Sequence, residues 1–300
     1  GLEINTLAII PLMVQNTSPR STEATTKYVL IQSAATGMFM YAMLLNANMT
    51  PEWTTKLIED PTSCVLMLLA IVMKLGLAPF HYWLSEVLQG LDLMTGLILS
   101  TLQKMAPFAV LLQINYTSIP GLAMLFGLSS IVAGLAGLNQ VEVRKILAYS
   151  STAHMGWIML IVSYYPSLAT LYFIIYVIMT SSVFYAFNEL ESKKISTFAR
   201  AWSKKPILAV ILILTLLSLG GLPPLTGFMP KWLILNEMMA QALSFPTLVA
   251  TIGTLANISF YLRLCYLSSI VFLSIGFLLK SDWRTKTKRP AFTWASLASA

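Results

Sequence analysis

The chain has 300 residues, of which 57% are hydrophobic and only 10% charged, and its mean hydropathy is +0.74. A soluble domain carries about 25% charge. The composition therefore excludes an ordinary soluble fold and predicts an all-α polytopic membrane protein. The net charge of +7 does not imply nucleic acid, because the basic residues sit between apolar runs, where membrane topology accounts for them.

In chain order, apolar runs predict about ten spans, at residues 1–14, 24–46, 62–88, 93–113, 118–138, 143–164, 167–189, 206–241, 246–267 and 288–300. Together they form a single transmembrane bundle over 1–300. It divides into two inverted halves, roughly 1–140 and 141–267, followed by a terminal helix at 288–300. The stretch 268–279, "LSSIVFLSIGFL", is apolar but short for a crossing and is expected to lie at the membrane surface.

Two spans are too long for one straight crossing, and both are interrupted. The first carries "GLAPF" with Gly76 and Pro79; the second carries "GLPPL" with Gly221, Pro223 and Pro224. Glycine weakens a helix, and proline removes an amide donor and clashes with the preceding turn. Positive charge decides how to count the second. If 206–241 is one broken span, the loops on one side hold Arg20, Lys27, Arg144, Lys145, Lys193, Lys194, Arg200, Lys204, Lys205, Arg263, Lys280, Arg284, Lys286, Lys288 and Arg289, against Lys56 alone on the other. That is 15 against 1; two separate spans give 9 against 7. The positive-inside rule favours the single broken span and places the basic side in the cytoplasm or a mitochondrial matrix. The two broken helices then cross in opposite directions, as in an inverted repeat whose discontinuous helices line a polar path near the midplane.

Three of the 19 basic residues remain inside spans: Lys74 in "AIVMKLGLAPF", Lys104 in "STLQKMAPF" and Lys231 in "GFMPKW". Each ionisable group at a helix centre costs roughly 2.5–3.5 kcal/mol on insertion scales. Snorkelling to the interface is the bland alternative, but these lysines lie too deep for easy escape. A buried lysine changes protonation readily when its neighbours change. A metal-ion path has no use for three cations, whereas a proton path does. Glu3 lies in the first span and Glu237 towards the end of the broken one. His154 sits mid-span in "AYSSTAHMGW" as a candidate relay, and His81 follows the first break as a possible accessory or a structural contact. The break at Gly76–Pro79 frees backbone groups and admits water, which lipid would not tolerate, and Lys74 sits where that water arrives.

Other signals are weak. Cys64 and Cys265 have no metal-ligand spacing and read as buried small residues. Three sequons occur, at Asn16, Asn48 and Asn115, the first on the basic side, where glycosylation does not occur. No motif for a nucleotide, iron–sulfur cluster or haem is found.

Four blocks, "GLEINTLAIIPLM", "MKLGLAPFHYW", "LNQVEVRKILAYSSTAHMGW" and "GGLPPLTGFMPKW", resemble in order the subunit-2 family of animal mitochondrial NADH:ubiquinone oxidoreductase, respiratory complex I. These are antiporter-like subunits related to multisubunit cation/proton antiporters. The resemblance covers nearly the whole chain. It implies a proton-translocating module of two inverted half-channels in the mitochondrial inner membrane. Glu3, Lys74, Lys104, His154 and Lys231 match the family's proton-path positions. It further implies no cofactor in this chain, with NADH, FMN, iron–sulfur clusters and ubiquinone handled by partner subunits. The expected partners are other complex I membrane subunits, including neighbouring antiporter-like ones, and the lipid bilayer. In the family one more helix precedes "GLEIN" and a hydrophobic helix closes the C-terminus, so both ends are expected to be missing here. The stretch 268–279 looks unusual for the family.

Three other functions compete. A free-standing cation/proton antiporter would need carboxylates or carbonyls at its cation site, and the intramembrane balance of three lysines against Glu3 and Glu237 argues against that. A quinone-binding redox subunit would place aromatic residues near the breaks. An inert scaffold would not need the buried lysines.

Overall fold

The computed structural model describes residues 2–15, 18–49, 60–114, 120–199 and 205–275. These form α1 (Leu2–Val14), α2 (Pro19–Met49), α3 (Pro61–Leu75), α4 (Tyr82–Gly90), α5 (Leu93–Ser100), α6 (Leu102–Leu111), α7 (Pro120–Gly127), α8 (Ser129–Gly137), α9 (Val143–Val162), α10 (Pro166–Glu189), α11 (Ile195–Ala199), α12 (Pro206–Gly220), α13 (Phe228–Ala240) and α14 (Ser244–Ile275). Among the described residues the only β pairing is an isolated bridge between Glu142 and Lys194. The fold is all-α, and Pro19–Asn48, Leu93–Leu111, Pro166–Glu189 and Ser244–Ile270 are each long and apolar enough to cross a membrane unaided.

Both overlong spans are broken at the expected places, α3 from α4 and α12 from α13. Two further spans are interrupted where none was expected. The span 93–113 divides at Thr101, and 118–138 divides at Leu128. At the first, the Ser100 and Thr101 hydroxyls both donate to the Leu97 carbonyl, at 3.0 and 2.8 Å. Such side-chain bonds compete with the backbone ladder. Pro107 then denies the next turn an amide. The five-residue helix α11 was not anticipated either.

The charged loops gather at one end of the bundle. Lys27 pairs with Glu23 and Glu86, both at 2.7 Å, and Gln89 donates to Glu142. Arg144 donates to the Leu91 carbonyl, Lys205 pairs with Glu189 at 2.9 Å, and Arg263 donates to the Leu138 carbonyl. At the other end Gln241 reaches the Tyr165 hydroxyl. The chain from Lys205 to Gln241 therefore crosses once, from the basic end to the opposite end. The segment from Asp60 to Gln89 crosses the other way. The two broken helices run antiparallel, as the positive charges require.

One expectation is corrected. The structure does not set 268–275 apart as a surface-lying element, because α14 continues through it without a break. Its last turns extend ~18 Å past Arg263 at 1.5 Å per residue, beyond the charged end. Residues 276–279 and the terminal helix at 288–300 lie outside the described residues.

Helices in lipid associate through close packing rather than through hydrophobic burial. The contact between α8 and α14 shows this: a Cβ on Gly134 would stand 2.8 Å from the Ala256 Cβ and 3.2 Å from the Gly253 carbonyl. Only glycine lets these helices approach so closely. The core is α9, which is buried from Ile146 to Val162 and surrounded by the other helices. Large apolar side chains such as Leu30, Ile207 and Phe245 face outward, as a lipid-facing surface requires.

Candidate functional site

The two breaks share one construction. At the first, Gly76 takes a left-handed conformation with φ 71°, its amide donates to Met73, and the Leu77 amide donates to Val72. At the second, Gly221 has φ 83°, its amide donates to Ser218, and the Leu222 amide donates to Leu217. This is the glycine-terminated helix end in which two amides fold back on the last turn. The glycines therefore stop the helices, and the prolines lie beyond the stop. The Ala78–Pro79 and Pro223–Pro224 peptides are both cis.

Each break has a lysine and a donor to its carbonyls. Lys231, from α13, folds back across the second break and donates to the Leu219 and Gly220 carbonyls at 3.1 and 2.8 Å. Lys74 sits in the last turn of α3, before the first break, and its ammonium has no hydrogen-bond partner among the described residues. There the Trp83 indole serves instead, donating to the Met73 carbonyl at 3.0 Å.

Lys74 and Lys104 line the same small cavity, together with Asn5, Thr6, Tyr28, Gln32 and Gln103. Its space is on the order of one water. Gln103 ties α6 to α1 by donating to the Asn5 carbonyl at 2.8 Å. Lys104 is 2% exposed, and its ammonium, like that of Lys74, has no hydrogen-bond partner among the described residues.

His154 and Lys231 face a second, closely packed polar cleft with Trp157, Asn257 and Tyr261, too tight for a water. The His154 Nδ1 is 2.9 Å from the Tyr172 hydroxyl. Tyr176 stands between the two cavities. Its ring centroid is 5.5 Å from the Lys104 Nζ and 5.4 Å from the His154 ring.

Of the sequence candidates, Lys74, Lys104, His154 and Lys231 thus form one buried row. Glu3 stands apart. It is exposed, in a groove between α1 and α2 lined by Thr6, Tyr28 and Gln32, which also line the lysine cavity. It makes no ion pair with Lys74 within 4 Å. His81 is 3% exposed and packs on the Tyr82 and Tyr149 rings at 4.1 and 6.1 Å, outside both cavities. Glu237 is half-buried in the last turn of α13 and lines neither cavity. The sequence reading missed Tyr172, Tyr176, Asn257, Gln32 and Gln103. These are neutral groups in apolar or mixed stretches, with no charge cost to mark them.

The fold and this row of buried cations define a polytopic helical membrane protein with a polar interior. The family model described as "NADH:quinone oxidoreductase/Mrp antiporter, TM" matches residues 1–259, and the chain belongs to that family. It is 50% identical to NADH-ubiquinone oxidoreductase chain 2 of Squalus acanthias, over 97% of this chain and 84% of the relative. Identity to the protein of the same name from Scyliorhinus canicula is 49%, over 100% of this chain and 86% of that one. Among solved structures, a chain of respiratory complex I from Thermus thermophilus matches with a TM-score of 0.82 and 28% identity, over 99% of this chain and 68% of that chain.

Proposed function

We propose that this chain is a proton-translocating, antiporter-like membrane subunit of respiratory complex I, with Glu3, Lys74, Lys104, His154 and Lys231 as its proton path. One observation carries the assignment of the path: three lysines, each no more than 6% exposed, stand beside helix discontinuities and on either side of a buried histidine. Inert packing does not select buried ammonium groups at these places, two of which, on Lys74 and Lys104, have no hydrogen-bond partner among the described residues. In this reading the two antiparallel broken helices give two inverted half-channels, roughly 1–140 and 141–267. Lys104 is the node between them.

The chain works in the mitochondrial inner membrane against other membrane subunits of the complex. NADH, FMN, iron–sulfur clusters and ubiquinone belong to partner subunits, and energy arrives here as charge and conformational change. The residues on this chain hold and pass protons. Lys231 holds its proton on two carbonyls freed by the second break. Lys74 and Lys104 line one cavity with space on the order of one water. His154 has a nitrogen bonded to Tyr172 and a second ring nitrogen to exchange with.

Lys104→Met in the intact complex, reconstituted into vesicles, tests the reading. The substitution keeps length and removes charge. NADH-driven quinone reduction is expected to continue while protons moved per electron fall. A wild-type proton-to-electron ratio overturns the central role of Lys104.

A further inference from the structure

We infer that Tyr176 is the positioning residue for Lys104, holding the loaded ammonium over its ring face between Lys74 and His154. The inference rests on the proton-path reading above and adds a residue to it.

Tyr176 comes from α10 and is fully buried. Its hydroxyl donates to the Ser100 carbonyl at 2.9 Å, on the last residue of α5. That carbonyl lies at the discontinuity, where the Lys104 amide bonds instead to the Thr101 carbonyl. Tyr176 therefore stands at the break, with its ring beside Lys104. The same helix also touches α6: Phe173 stacks on Phe108 with centroids 4.3 Å apart. Phe108 lies one turn beyond Lys104, and Phe173 nearly one turn before Tyr176. The two contacts hold α10 against the chain on both sides of the break, at the end of α5 and on α6.

The ring then meets the charge. The Lys104 Nζ is 5.5 Å from the ring centroid, within the roughly 6 Å over which an aromatic face attracts a cation. No hydrogen bond or ion pair to a described residue competes for the ammonium. A ring face attracts an ammonium through its quadrupole but offers little to a neutral amine. The contact therefore depends on state: it holds Lys104 while loaded and releases it when the proton leaves. The other flank of the ring rests on His154 and Phe173, at 5.4 and 6.1 Å, so it has no freedom to turn away.

The test compares wild type, Lys104→Met, Tyr176→Phe and Tyr176→Leu in the intact reconstituted complex. Quinone reduction rate and protons per electron are both measured. Tyr176→Phe keeps the ring face and is expected to keep the wild-type ratio. Tyr176→Leu removes the face and is expected to lower the ratio to the Lys104→Met level in complex that still assembles. A general packing defect reduces the amount of complex without changing that ratio. If Lys104→Met lowers the ratio and Tyr176→Leu does not, the inference fails and the proton-path reading stands. If Lys104→Met leaves the ratio unchanged, both fail. If Tyr176→Phe falls as far as Tyr176→Leu, the hydroxyl and not the ring is what matters, and the inference is overturned. Should Tyr176→Leu block assembly, Tyr176→Met fills the volume without a ring; a wild-type ratio there overturns the inference equally.

Discussion

The Lys231 ammonium lies 2.8 Å from the Gly220 carbonyl oxygen, at the end of a helix that Gly221 terminates. The lysine and the break are one device. A helix end leaves carbonyls without intrahelical partners, and a buried ammonium needs acceptors. Each supplies what the other lacks. Lys74 is placed differently, before its break rather than after it, and gains no such carbonyl.

That difference predicts different outcomes at the two glycines. A left-handed residue other than glycine costs roughly 1–2 kcal/mol, so Gly76→Ala and Gly221→Ala should both lower thermal stability by about that much. At Gly76 the new Cβ meets Leu84 and Trp83 at 3.4 Å, an ordinary contact. At Gly221 it meets the Lys231 Cδ and Nζ at 2.9 Å and must displace them. Only Gly221→Ala should therefore also lower the proton-to-electron ratio. Equal ratios in the two variants would show that the carbonyl contacts of Lys231 do not matter for transport.

The two breaks and the three lysines were legible in the sequence because both are expensive. A charge in an apolar run and a Gly-x-x-Pro in an overlong span stand out against what lipid permits. The antiparallel course of the broken helices was legible from the loop lysines and arginines. What closes the site was not. Tyr176 belongs to "LYFIIYV", where an aromatic residue is unremarkable, and only the packing of α10 on α6 turns its face to Lys104. The break at Thr101 arises from two hydroxyls competing for one carbonyl, with no glycine or proline at the spot. Glu3 was legible as an acid within the first span, but that it lies exposed in a groove depended on how α1 sits against α2.

The start of α3 offers a pH test outside the spans. Asp60 caps the helix: its carboxylate accepts from the Ser63 amide at 3.1 Å, from the Ser63 hydroxyl at 2.9 Å, and from Thr62. The hydrogen bonds from Thr62 and Ser63 hold its carboxyl below the usual Asp range. A depressed folded value means that the cap stabilises the helix end above the unfolded value, about 3.9, and loses that contribution as pH falls through the lower folded value. Amide exchange at Ser63 and Cys64, corrected for intrinsic rates, should stay protected at neutral pH and rise below about pH 4. Asp60→Asn should keep the cap and remove the acid sensitivity, while Asp60→Ala should lose protection at all pH values. Acid-sensitive protection persisting in Asp60→Asn would assign the effect to another group.

Glu3 and Lys74 pose the sharpest question about the path. Breaking a direct buried ion pair costs roughly 3–5 kcal/mol, because the remaining charge is left unpaired. No such pair is present: Glu3 is exposed in its groove, and Thr6, Tyr28 and Gln32 line both that groove and the lysine cavity. The shared lining is the route by which the carboxylate reaches Lys74. Beyond ion-pair range Coulomb energy still falls only with the first power of distance, so an unpaired carboxylate biases a nearby proton equilibrium without a direct contact. Glu3→Gln should therefore cost less than about 1 kcal/mol of stability, well short of a broken pair, yet lower the proton-to-electron ratio. Lys74→Met removes a partnerless buried charge, so stability should hold or rise while the ratio falls. The double variant should show the ratio of Lys74→Met and no rescue, because the acid acts only by biasing the lysine. A stability cost of about 3 kcal/mol or more in Glu3→Gln, relieved when Lys74→Met is added, would mean that the two residues form a static pair. A wild-type ratio in Glu3→Gln would remove Glu3 from the path and leave Lys74 to be biased by something other than this carboxylate.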